Sequence, residues 1–66
     1  MEEIDIYRSA RLLLDKFEDD ALAVANQRIA SFEKLRNEEA ISVWRQIKAA
    51  IEWELLQNPI KQMPLQ

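Results

Sequence analysis

Apolar and polar positions alternate with a helical period along most of this chain. The pattern is longest in Glu38–Gln57, EEAISVWRQIKAAIEWELLQ. There Ala40, Trp44, Ile47, Ile51 and Leu55 recur at three- and four-residue intervals and fall on one face of a helix, with Val43 widening the stripe. Trp53 lies off that stripe. It stands nine residues beyond Trp44, and at about 100° per residue the two indoles point to roughly opposite sides. A single small core does not easily bury both.

The same period predicts two earlier helices. In the first, over about residues 3–17, Ile6, Ala10, Leu13 and Phe17 recur at helical spacing, with Tyr7 and Leu14 beside them. Glu2, Glu3 and Asp5 sit where carboxylates favour the positive end of the helix dipole. Leu12 falls well off this stripe. Glu18-Asp19-Asp20 then reads as a turn, with Asp19 or Asp20 capping a second helix over about residues 20–35. Leu22, Ala25, Ile29 and Phe32 form its central line, and Ala21, Val24 and Leu35 widen it. Ala21 and Ala25 are small enough to let a neighbouring helix approach closely. Arg36-Asn37 is the second break: arginine suits a helix C-terminus, and asparagine either ends one helix or caps the next. Asn58-Pro59 closes the third helix, because a residue before proline is pushed out of the α region.

These elements predict an all-α fold: a small three-helix bundle over residues 1–57, with helices at about 3–17, 20–35 and 38–57, and a non-helical C-terminal tail over 58–66. Ile60, Met63 and Leu65 give the tail enough apolar surface to fold back. The break at Glu18–Asp20 contains neither proline nor glycine. The alternative architecture therefore merges the first two helices into one long element that pairs with the third helix or with another chain.

Composition narrows the chemistry. The chain has 66 residues, one domain at most, and such a chain buries only about 60% of the surface its unfolded form exposes. With no cysteine and no histidine it has neither disulfides nor ordinary zinc sites to compensate. Regular helix packing or a partner chain remains. The absence of glycine removes phosphate-cradling loops. No apolar run is long enough to span a membrane, and the acidic start MEEIDIYR does not read as a secretory signal, so the expected location is cytoplasmic. The net charge is −3, and the basic residues are interleaved with acids, which disfavours a nucleic-acid surface.

Several residues together resemble a known pattern. Ile6-Tyr7-Arg8-Ser9-Ala10-Arg11-Leu12-Leu13-Leu14-Asp15, then Asp20-Ala21, Ala25 and Arg28, then Trp44-Arg45-Gln46-Ile47 and Ala50-Ile51, are similar to a family of short, helical, uncharacterised bacterial proteins. The resemblance runs over about residues 4–56. It departs at Phe17-Glu18 and Arg36-Asn37, where a glycine is expected in each link. It implies a helical fold and supplies no activity and no functional residues.

Each candidate site competes with a plainer role. Trp44, Tyr7, Phe17 and Phe32 read as core. Arg8 with Arg11, and Arg45 with Lys48, could hold a small anion, but Asp15, Glu52 and Glu54 stand at spacings that make a salt-bridged, solvated face the better reading. Asp15, Glu18, Asp19 and Asp20 lack the glycine and the spaced glutamate of a calcium loop and read as helix-end charges. Without His or Cys, a nucleophile–base pair would have to come from Ser9, Ser31, Ser42, lysines or carboxylates, and none stands at a recognisable spacing. No catalytic, cofactor-binding or metal-binding residue is assigned, and no enzyme is expected.

Trp53 remains, with Leu12 and Leu56. Buried tryptophan is enriched at binding hot spots, so Trp53 reads as an anchor for a partner or a second copy, unless the tail or a cleft against the first helix covers it. The expected function is a small protein-interaction module or regulatory subunit, homodimeric or bound to another protein, that buries apolar surface around Trp53, Leu12 and Leu56. The alternative is a nucleic-acid-associated regulator using the second and third helices as a helix-turn-helix.

Overall fold

The computed structural model describes residues 3–57. It is all-α, but it is not the expected three-helix bundle. Among the described residues only Leu35, Arg36 and Asn37 lie outside a helix. The chain forms two helical arms. The first, α1, runs through residues 3–34: it is α-helical over Glu3–Phe17, tightens to one 3₁₀ turn over Glu18–Asp20, and continues as α-helix over Ala21–Lys34. The second, α2, spans Glu38–Gln57. The two-arm alternative is thus the architecture observed. The physical reason lies at Glu18–Asp20. With no proline there to remove a backbone donor, helical bonding resumes at once, the Ala21 N–H donating to the Glu18 carbonyl. Asp20 precedes Ala21 as expected of a cap, but its side chain makes no capping bond.

The first arm is helical throughout but bent. Glu18 has φ 51, a left-handed conformation that cannot propagate a right-handed helix. The pairing of the arms requires such a change of course. Near the link, Arg45 Nη2 lies 3.6 Å from Glu33 Oε2; at the far end, Arg11 Nη1 lies 3.1 Å from Glu54 Oε1. The arms are therefore antiparallel. Yet 22 residues separate Arg11 from Glu33 and only nine separate Arg45 from Glu54. At about 1.5 Å per residue those paths are about 33 Å and about 14 Å, so a straight first arm could not stay beside α2.

The three-residue link is held by backbone hydrogen bonds and one side-chain cap. Arg36 takes φ 57; its N–H donates to the Glu33 carbonyl (3.1 Å), and the Asn37 N–H donates to the Phe32 carbonyl (3.0 Å). This pair of bonds is the Schellman ending of a helix, here with arginine in the position that glycine usually fills. Asn37 then caps α2. Its Oδ1 accepts from the Ala40 N–H (3.1 Å), and its carbonyl accepts the first helical bond, from the Ile41 N–H (3.0 Å). Glu38 and Glu39 fill the first turn of α2.

The core is narrow. Ile6, Ala10, Leu14, Ala21 and Ala25 from the first arm meet Ile47 and Ile51 from the second, and Leu13, Leu22, Val43, Trp44, Ala50 and Leu55 pack around them half-buried. The core roles expected of Tyr7 and Phe17 are not observed, since both are exposed, and Leu35 is exposed instead of widening the second stripe. A helix with one neighbour covers a smaller arc than a helix in a bundle. Tyr7 lies about 60° round from Ala10 and falls outside that arc. Phe17 keeps the core line but sits in the last turn before Glu18, where the chain changes course. Trp44 and Phe32 are half-buried.

Candidate functional site

Leu12, Trp53 and Leu56 are all exposed, at 63%, 52% and 79%. Helix phase decides which of them act together. Ala10 and Ile51 are each fully buried between the arms. Leu12 follows Ala10 by two residues and Trp53 follows Ile51 by two, so each points about 160° away from the buried line of its own helix. Because the two buried lines face each other, Leu12 and Trp53 lie on opposite outer sides of the molecule. One flat partner surface cannot cover both.

Their surroundings differ as much as their directions. On a helix, the neighbours of a side chain are three and four residues away. Those of Leu12 are Arg8, Ser9, Asp15 and Lys16, so it is one apolar side chain in a charged field, an ordinary surface leucine. Those of Trp53 are Ala49, Ala50, Leu56 and Gln57. Trp53 and Leu56, one turn apart, project from the outer face of α2 with Ala49 between Trp53 and the middle of the helix, and all three are exposed. This second apolar stripe, Ala49-Trp53-Leu56 at i, i+4, i+7, is written in the sequence but is masked there by the stronger inner stripe through Ile47 and Ile51. Trp53 does not occupy a cleft against the first arm. The tail expected as a cover for it, residues 58–66 with Ile60, Met63 and Leu65, lies outside the described residues.

The expected salt-bridged surface is observed in part, through Arg11 and Arg45. Arg11 spans Asp15 (3.9 Å, within its own helix) and Glu54 (3.1 Å, across the arms). Arg45 pairs with Glu33 rather than with an acid of its own helix. The Arg28 guanidinium lies over the Trp44 ring, 6.0 Å from its centroid, which gives the inner tryptophan a cationic lid that the outer one lacks among the described contacts. Every buried side-chain polar atom among the described residues has a partner. No group of three or more carboxylates among them is close enough to hold a metal ion, and Asp15, Glu18, Asp19 and Asp20 form no such group. No helix among them is long and apolar enough to cross a membrane.

Comparison with family models, with curated proteins and with solved structures gave no match.

Proposed function

We propose that this chain is a small cytoplasmic interaction module, or the regulatory subunit of a larger assembly, that works by burying the outer face of α2 against another protein chain. The observation that carries this reading is the exposure of Trp53 and Leu56 one turn apart on the face that points away from the first arm. A half-exposed tryptophan beside an exposed leucine leaves a large apolar surface in water, and such patches mark contact surfaces. The small core points the same way: a chain this short gains from a partner what it cannot gain from its own interior. Leu12 belongs to the other side and is not part of this surface. The resemblance to short helical bacterial proteins concerns the helical fold alone and adds nothing about function or partner.

The test compares the full chain with a Trp53→Ser variant as baits for a binding partner, with far-UV circular dichroism on both. Retention of a partner by the full chain and its loss on substitution, at equal helix content, supports the reading. Collapse of helix content in Trp53→Ser would mean that Trp53 holds the fold together, and the reading would be lost.

A further inference from the structure

We infer that the occupant of this face is a second copy of the chain, docked antiparallel through α2 about a two-fold axis at Ala49. The inference rests on the docking reading above and goes further, by naming the partner and its register.

Ala49 stands at the centre of the outer face, about 160° from the buried Ile51. Around it the exposed residues Arg45, Gln46, Glu52, Trp53 and Leu56 are arranged on two flanks. At about 100° per residue, Arg45, Glu52 and Leu56 fall on one side of the line through Ala49, and Gln46 and Trp53 on the other. A two-fold axis perpendicular to a pair of antiparallel helices keeps each flank on its own side and reverses position along the helix. It therefore brings a residue about one turn before Ala49 against one about one turn after it, on the same flank of the second copy.

Arg45 precedes Ala49 by four residues and Glu52 follows it by three, on the same flank. Self-docking lays each Arg45 on the Glu52 of the other copy, forming the ion pair twice. On the other flank each Trp53 lies over the Gln46 and Ala49 of the other copy, where the small side chain at the crossing leaves room for an indole. The surface is thus complementary to itself in charge and in shape, which a closed symmetric dimer requires. A foreign partner would require no such match between Arg45 and Glu52. Arg45 is free to turn outward because its pair with Glu33, at 3.6 Å with both side chains more than half exposed, is a weak surface contact. One helix face lies at the small end of protein interfaces, below about 1,200 Å² in total, so a reversible dimer that dissociates on dilution is expected.

The experiment is sedimentation velocity of the full chain over a wide concentration range, beside Arg45→Glu, Glu52→Arg and the double charge swap, with circular dichroism to confirm that each is folded. The expected result is a dimer in which either single reversal weakens association at least tenfold and the swap restores it. A dimer indifferent to both reversals but lost with Trp53→Ser would overturn this register while leaving the docking face in place. A chain that stays monomeric at every concentration would overturn the second copy as occupant. The docking reading itself would then stand or fall on the Trp53→Ser comparison with another protein as partner.

Discussion

Arg11 and Glu54, 43 positions apart in sequence, meet at 3.1 Å across the two arms. The contact joins the amino half of the first arm to the last turns of α2, at the end of the hairpin farthest from its link. Only 16% of the Glu54 side chain is exposed, against 56% for Arg11, so the carboxylate is the more sheltered partner.

Breaking that contact should lower stability modestly. Arg11→Ala removes a partly solvated pair worth about 0.2–1 kcal/mol, and the loss should shrink as salt is added. A double-mutant cycle with Glu54→Gln, read by urea denaturation, isolates the coupling. Zero coupling at low salt would mean that the contact positions nothing.

Asn37 ends one helix and begins the next. Asn37→Ala removes the acceptor for the Ala40 N–H and should cost about 1 kcal/mol, whereas Asn37→Gly should cost only a few tenths. Thermal unfolding of the two variants checks the order. Equal losses would show that the side-chain oxygen contributes nothing at this helix start.

Arg36 holds φ 57, which disfavours a side chain with a Cβ by about 1–2 kcal/mol. Glycine removes that penalty but makes the unfolded chain more flexible, by about 0.5–1 kcal/mol. Arg36→Gly should therefore raise stability by up to about 1.5 kcal/mol. Arg36→Ala serves as the control, since it loses the charge without the conformational relief, and Arg36→Val should lower stability further. Melting temperatures rank the three, and a lower value for glycine than for alanine would contradict the argument.

The same two left-handed residues mark the limit of what the sequence discloses. The start of α2 was legible because its signals are chemical: a capping asparagine and two acids in the first turn. Its inner stripe was legible because Ile47 and Ile51 repeat at helical spacing. The joining of the first two helices was legible only as the alternative, from the missing proline and glycine at Glu18–Asp20; the bend there was not. Glutamate has no special preference for the left-handed region, so nothing in the residue type at Glu18 announces a bend in place of a turn. Glu18 and Arg36 both adopt the left-handed backbone that glycine favours, and the chain reaches it in both places without a glycine. The exposure of Tyr7 was hidden for a different reason. Its phase fits a helix with two neighbours, and only the arrangement of the arms reveals that it has one. At the candidate site, Trp53 stood out by its phase against Trp44, whereas the placing of Leu12 on the opposite outer side was not legible, because side-chain direction depends on which faces the two arms turn toward each other.

The close approach of the arms depends on small residues. Ala21 and Ala25 are fully buried with no bulk of their own, so the space a larger side chain would need is taken by residues packed against them. Ala25→Leu adds three carbons at a fully buried position, and overpacking of this kind costs about 1–3 kcal/mol. Ala30 lies in the same helical segment but is exposed, and leucine is as good a helix former as the surface requires, so Ala30→Leu should change stability by no more than about 0.5 kcal/mol. Urea midpoints of the two variants separate packing from propensity. If Ala25→Leu were neutral or stabilising, the arms could not be as close at Ala25 as its burial requires, and the packing of α2 against the carboxyl half of the first arm would have to be redrawn.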